Sequence, residues 1–366
     1  MSEQPIANYI RPLIGFLLFA LFAWYFSDLV VYILIATFIS ILGTPMVKWL
    51  EKKKIFKMRI NHTISVTLTF LTIILLIAIF ILFIVPLIIY QANIISSIDV
   101  DAMLKHYEAS FKKVNEFLVQ YNVVNPEQSF ANYLQSQITN LVDISRFTNI
   151  FASLVSTTGS VFMGTFIILF LSFYFLLDDK LMRRIVIVLT PSQFEEDMGL
   201  VLHNSKLLLV RYFHGILLEI GIMMTLEAGA LSVLGVPNAI LIGFLGGLMN
   251  AIPYLGPLMG AAIGMLLAAL SELAYGSYDM VFTSAFYVAI VFAGANVIDN
   301  IILQPQIYSK SVRAHPVEIF LAIIVGGKVA GVVGMIFAIP TYTVFKVVAK
   351  QFTSRIKFLN FLTTKM

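Results

Sequence analysis

The chain contains no cysteine. Disulfides, cysteine-ligated zinc sites and thiol nucleophiles are therefore excluded. Charge is scarce too: Asp, Glu, Lys and Arg make up 12% of the 366 residues, while 59% are hydrophobic and 31 are Phe. Soluble domains carry about 25% charged residues, so this composition implies a polytopic membrane protein. His203, His214 and His315 form no pattern with carboxylates that would define a zinc site, and no metal is expected. Walker A and Gly-x-Ser-x-Gly motifs are missing, as is any visible pairing of nucleophile and base, so neither an ATP-driven pump nor an enzyme is expected. The formal net charge of +4 sits beside hydrophobic runs, as the positive-inside bias requires, and gives no reason to expect nucleic acid as a partner.

What the chain does have is long apolar runs. With about 20 apolar residues per crossing, full spans are expected near 12–27, 29–47, 63–90, 152–177 and 208–235. Arg11 before the run Leu13 to Phe26 resembles a signal peptide. No small-residue cleavage pattern closes it, and Asp28 leads straight into the next run, so an uncleaved first span is expected. Lys48, Lys52, Lys53, Lys54, Lys57 and Arg59 lie between the second and third spans, and Lys180, Arg183 and Arg184 follow the fourth. Both loops are expected in the cytoplasm, together with the N-terminus and the C-terminal Lys346, Lys350, Arg355 and Lys357.

The organisation falls into residues 1–90 with three spans, an extracytoplasmic helical segment 91–151, and a transport region 152–366. In the external segment Leu104, Tyr107, Phe111, Val114, Phe117, Leu118 and Tyr121 recur at helical spacing, and Pro126 suits the first turn of a second helix from Glu127 to about Leu141. Residues 178–206 are too polar to span and read as an interfacial helix pair broken at Pro191.

From 239 to 349 the apolar runs are interrupted by Gly, Pro and polar residues. Backbone released from helical bonding at membrane depth must be buried in protein or line a water-filled cavity, and Gly/Pro-interrupted segments point to transporter binding sites. Two topologies compete. In one, 239–271 and 317–349 are re-entrant helical hairpins entering from opposite sides, with a sixth full span near 280–302, which leaves Lys310 and Arg313 in the cytoplasm. In the other, eight conventional spans cross the membrane. The expected hinges are Pro253, Gly256, Pro257, Gly326, Gly327, Gly331 and Pro340.

Two carboxylates, Glu219 and Glu227, lie deep in the fifth span, where a charge costs at least about 2.5 to 3.5 kcal/mol. Their spacing of eight places both on broadly one helix face. They are candidates for coupling to H+ or Na+, or else a structural pair with Arg211, His214 or Lys328. Asn250, Tyr254, Asn296, Asp299, Asn300, Gln304 and Lys328 are candidates for solute contact, because carboxamide and carboxylate oxygens suit a small polar solute or a hard cation. Most glycines from Gly243 to Gly264 read as close helix packing.

Taken together, Pro253-Tyr254-Leu255-Gly256-Pro257, Asn300, Gln304-Pro305, His315-Pro316, Gly326-Gly327, Gly331-x-x-Gly334 and Ile339-Pro340 resemble the autoinducer-2 exporter family of bacterial membrane proteins. The similarity covers nearly the whole layout. It implies a secondary transporter of the cytoplasmic membrane, some relatives being assigned to export of autoinducer-2 and others to sodium or proton exchange. The expected activity is ion-coupled or facilitated efflux of a small polar solute by alternating access. A monovalent cation/proton antiporter and a non-transporting scaffold or sensor are the alternatives. Expected partners are the bilayer, the solute or cation and, as an open question, further copies of the chain.

Overall fold

The structure, a computed structural model, describes residues 21, 25–55, 58–109, 112, 113, 116, 158–308 and 315–353. Most of the expected first span, the external segment beyond residue 116, Lys310 and Arg313 lie outside the described residues. The protein is an all-α polytopic membrane protein. Among the described residues, six helical stretches have the length and apolarity of a membrane crossing. The described residues also hold a two-residue β-hairpin, β1 (Lys54–Ile55) antiparallel to β2 (Met58–Arg59), in the expected basic loop.

The chain divides into two compact units. The first comprises residues up to Leu75 with Leu154–Glu195. It holds α1 (Ser27–Lys52), the start of α2 (His62–Ser96), α4 (Thr158–Leu177) and α5 (Leu181–Val188). Lipid tails are as apolar as Leu, so helices in a membrane associate through close fit at small residues rather than through the hydrophobic effect. Gly43 of α1 illustrates this: a methyl group there would sit 3.0 Å from Leu176 and 3.1 Å from Ile73. Val47, Val66 and Leu176 form the buried centre of this packing. At Leu177 the chain turns sharply, and α5 runs at 92° to the preceding helix.

The second unit comprises Leu76–Ser153 and Glu196–Met366. It holds the rest of α2, the short α3 (Val100–His106), α6 (Glu195–Val233), α7 (Ala239–Met249), α8 (Leu255–Ala274), α9 (Val281–Ile298), α10 (Gln304–Tyr308) and α11 (Pro316–Thr353). Asp99 caps α3 by accepting from the Ala102 amide at 2.9 Å. The break at Pro191 is as expected, but the second helix of the polar segment, starting at Glu195, runs on without interruption into the fifth span.

α7 and α8 form an antiparallel helical hairpin. Gly246 faces Gly260, and Gly264 faces Ile242, so the arms approach through small residues. α11 is a second hairpin. Its backbone leaves helical geometry at Ala330 (φ −140°, ψ 26°) and Gly331 (φ 58°, ψ −140°), and the arms fold back with Gly326 against the Gly334 carbonyl. At the open end Glu318 accepts from the Tyr342 hydroxyl and from Lys346 at 3.2 Å. Both expected fold-backs are therefore present as paired arms.

Candidate functional site

α6 is the axis of the site. Its buried positions Tyr212, Ile216, Glu219, Met223, Glu227 and Leu231 recur at three and four residues, the stripe a helix presents to neighbouring protein. Two positions on that stripe are carboxylic acids, with Glu219 1% and Glu227 3% exposed. Arg211 and His214 are exposed, and His214 Nδ1 lies 2.7 Å from the Val210 carbonyl.

The two hairpins approach α6 from opposite ends. On one side Gly243 lies against the Ala228 backbone and Gly247 against Met224, so α7 runs antiparallel to α6. Continued at helical rise, this register brings Asn250 to roughly residue 221. On the other side the Gln351 amide donates to Asp197 at 3.0 Å, and the ring of Phe337 packs on Phe213 at 6.4 Å. That register brings the Ala330–Gly331 turn to roughly residue 219 or 220. The tips overlap: Ile252 and Leu255 of the first hairpin pack among Ile323, Ala338 and Met335 of the second.

α9 delivers the third acid to the same level. Phe292 packs beside Gly246 and Gly260, and seven residues later Asp299 is fully buried. A π-helical turn spans Asp299–Leu303. The wider turn brings residue i+5 back over residue i, and the Gln304 amide donates to Asp299 Oδ2 at 2.7 Å. Glu219 and Glu227 both lie within electrostatic reach of Asp299.

Glu227 is seated by glycine. A methyl group on Gly246 would stand 2.2 Å from Glu227 Oε2 and 2.5 Å from the Phe292 ring, so only a residue without Cβ leaves room for the carboxylate. Among the described residues, Glu227 Oε2, Asp299 Oδ1 and Asn250 Nδ2 are buried without a hydrogen-bond partner. Leaving such an atom unpaired costs about 1–3 kcal/mol. Carboxyl oxygens beside amide groups can hold protons and hydrogen-bond hydroxyl groups. Among the described residues no group of three or more His, Cys, Asp or Glu could hold a metal ion.

Of the expected solute contacts, Asp299 and Gln304 lie together beside Glu219 and Glu227, and helical register puts the buried Asn250 near the same level. Asn296 and Asn300 bond each other at 2.7 Å, with Asn300 exposed, and stand apart from the buried acids. Tyr254 is 40% exposed and holds a positive φ of 66°, a strained conformation for a side chain of its size. Lys328 lies exposed two residues before the second turn, with no ion pair among the described residues. Of the expected hinges, Pro253 is buried in the first turn, and Pro257 occupies the first turn of α8. Gly256 is indispensable there, because a methyl group would meet the Met249 carbonyl at 2.0 Å. In the second hairpin Gly331 is at the turn, whereas Gly326 and Gly327 lie within the first arm, against Gly334 and Met335, and Pro340 sits in helical backbone. Gly246 and Phe292, which seat Glu227, escaped sequence reasoning. Gly246 stood out only as one of several small residues, and Phe292 is one Phe in an apolar run.

The sequence profile of the AI-2E family transporter matches residues 13–354. The chain belongs to the AI-2E family. Among relatives named "Putative transport protein", YrrI of Bacillus subtilis is 33% identical over 183 residues, covering 50% of this chain and 49% of YrrI. YueF of the same organism is 26% identical over 328 residues, covering 89% of this chain and 84% of YueF. MJ1177 of Methanocaldococcus jannaschii is 27% identical over 340 residues, covering 89% and 91%. Family membership makes this a membrane transport protein.

Proposed function

We propose that this AI-2E family member is an ion-coupled secondary transporter working by alternating access. Glu219, Glu227 and Asp299 bind the coupling ion, and the hairpin tips bracket the small polar solute. The observation that carries the reading is the convergence of three buried acids and both fold-backs at one level of α6. In a bilayer the hairpins then enter from opposite faces and stop near the midplane, the usual depth for a transporter site. By the positive-inside bias, Lys48 and Lys52 at the end of α1 and Arg183 and Arg184 at the start of α5 support a cytoplasmic position for both termini. The cargo in this reading is a polar molecule of the size of autoinducer-2, moved outward.

A second reading, monovalent cation/proton antiport, is favoured by one detail: Glu227 and Asp299 are both buried at this level, and carboxylate oxygens suit a hard cation. Purified protein in proteoliposomes carrying a pH-sensitive dye separates the two. Proton movement that requires autoinducer-2 supports solute coupling, and movement driven by sodium alone supports antiport. Flux unchanged when Glu219, Glu227 and Asp299 are all replaced by their amides would overturn both.

A further inference from the structure

The first unit carries a surface that the transport reading does not use. α5 leaves the end of α4 at 92°, which sets it along the membrane plane if α4 crosses the bilayer. Its apolar residues Ile185, Val188 and Leu189 are 44%, 83% and 73% exposed, and Arg183 and Arg184 are exposed beside them. An exposed apolar strip flanked by cations, on a helix perpendicular to a span, is how an interfacial helix meets a headgroup layer.

The end of α1 lies at the same place. His62 ties the two helices together: Nδ1 is 2.5 Å from Glu51 Oε1, and Nε2 is 2.9 Å from the Leu177 carbonyl. With an acceptor at each ring nitrogen, only the imidazolium donates to both. Two of the acids here are engaged, Glu51 with His62 and Asp178 with Arg184. Lys48, Lys52, Lys180 and Arg183 are exposed and have no ion pair among the described residues. Trp49 is 55% exposed with Lys53 stacked over its ring at 4.5 Å, the amphipathic pairing found at the headgroup level of membranes.

We infer that the end of α1 and the α4–α5 elbow form a binding surface for anionic phospholipid headgroups. Lys48, Lys52, Lys180 and Arg183 contact phosphate, and Ile185, Val188 and Leu189 enter the acyl boundary. Charge complementarity selects this occupant: each Lys or Arg at an anionic membrane surface attracts it, whereas a zwitterionic lipid offers no net charge. The exposed apolar strip needs acyl chains, which a soluble acidic partner does not supply. This inference goes beyond the transport reading, and its test does not depend on transport.

The chain has two tryptophans, Trp24 and Trp49. A Trp24→Phe variant leaves Trp49 as the sole tryptophan, placed within the proposed surface and excited apart from the tyrosines at the red edge. It is reconstituted in phosphatidylcholine vesicles doped with either phosphatidylglycerol or phosphatidylcholine brominated high in the acyl chain. At equal mole fraction the brominated phosphatidylglycerol is expected to quench Trp49 about threefold or more beyond the neutral lipid. The difference should shrink at high salt, and it should vanish when Lys48, Lys52 and Arg183 are together replaced by Gln. Equal quenching by the two lipids in the Trp24→Phe protein overturns the inference and leaves the basic cluster to a soluble acidic partner. The comparison between lipids needs no further variant, so misfolding of the triple substitution cannot mask the result.

Discussion

The seat of Glu227 makes a quantitative demand on Gly246. Replacing Gly246 with Ala puts a methyl group 2.2 Å from Glu227 Oε2 and 2.5 and 2.6 Å from two atoms of the Phe292 ring. Ordinary contact begins near 3.4 Å, so the carboxylate or the ring has to retreat by roughly 1 Å, and overpacking of that kind costs about 1–3 kcal/mol. Neither neighbour yields freely. Glu227 is on the buried stripe of α6, and Phe292 belongs to the core formed with Leu231, Ile242 and Val288. If the strain falls on the state that carries the ion, the transport rate drops by about 5- to 150-fold. Gly229 lies on α6, the helix that carries Glu227, with open space where its methyl group would go, so Gly229→Ala controls for the change of residue type. The assay is initial flux in proteoliposomes at matched protein content, with melting in detergent measured in parallel. Wild-type flux and melting in Gly246→Ala would refute the idea that the glycine makes room for a working carboxylate.

Other predictions test the remaining parts. Glu219→Gln and Asp299→Asn each keep the shape of the cluster but remove an ionisable group; either should lower proton-coupled flux at least about tenfold while leaving detergent melting nearly unchanged, since a buried neutral amide is cheaper than a buried charge. Undiminished coupling in both would remove these two residues from the mechanism. Gly331→Ala has open space for its methyl group but not the backbone freedom, because φ 58°, ψ −140° is glycine territory; a loss of about 1–3 kcal/mol should appear as reduced melting temperature and flux, and an unchanged protein would mean that the turn reforms elsewhere. A cysteine introduced at Ser277, beyond the open end of the first hairpin, should react with an impermeant reagent added outside intact cells; labelling only after lysis would reverse the proposed orientation.

Much of the fold was legible because lipid punishes exceptions. A Pro-Tyr-Leu-Gly-Pro run inside an apolar stretch has few explanations in a bilayer, and it does form the turn between α7 and α8. Glu219 and Glu227 stood out for the same reason, and both are buried on one stripe. Other features left no such mark. Gly326-Gly327 looks like a hinge in sequence, yet paired glycines serve close packing equally well, and the chain turns four residues later at Ala330–Gly331. The polar start of α6 resembles a separate interfacial helix because charge per residue does not report whether a helix continues into the span. Neighbouring polar residues also part company on a helix: Asp299 is buried while Asn300 is exposed. The π turn that brings Gln304 over Asp299 has no composition of its own, since it depends on hydrogen-bond register rather than residue type.

The energetics of the site bear on whether its occupant can drive a conformational change. A ligand shifts an equilibrium only by the difference in its binding to the two states, and moving a population from almost wholly one state to almost wholly the other takes about 5.5 kcal/mol. Three buried atoms at this level, Glu227 Oε2, Asp299 Oδ1 and Asn250 Nδ2, have no hydrogen-bond partner among the described residues. At about 1–3 kcal/mol for each, satisfying them in one state and not in the other spans the range required. The geometry also says why such a difference would be felt by both fold-backs together. Asn250 belongs to the first hairpin, whose turn is packed against the second through Ile252, Ile323 and Ala338. An occupant that draws Asn250 toward the acids on α6 and α9 therefore pulls on the contact between the tips, and its departure releases that contact. The proposed mechanism needs no long-range relay, because the proposed coupling acids and both fold-backs share one layer of the molecule.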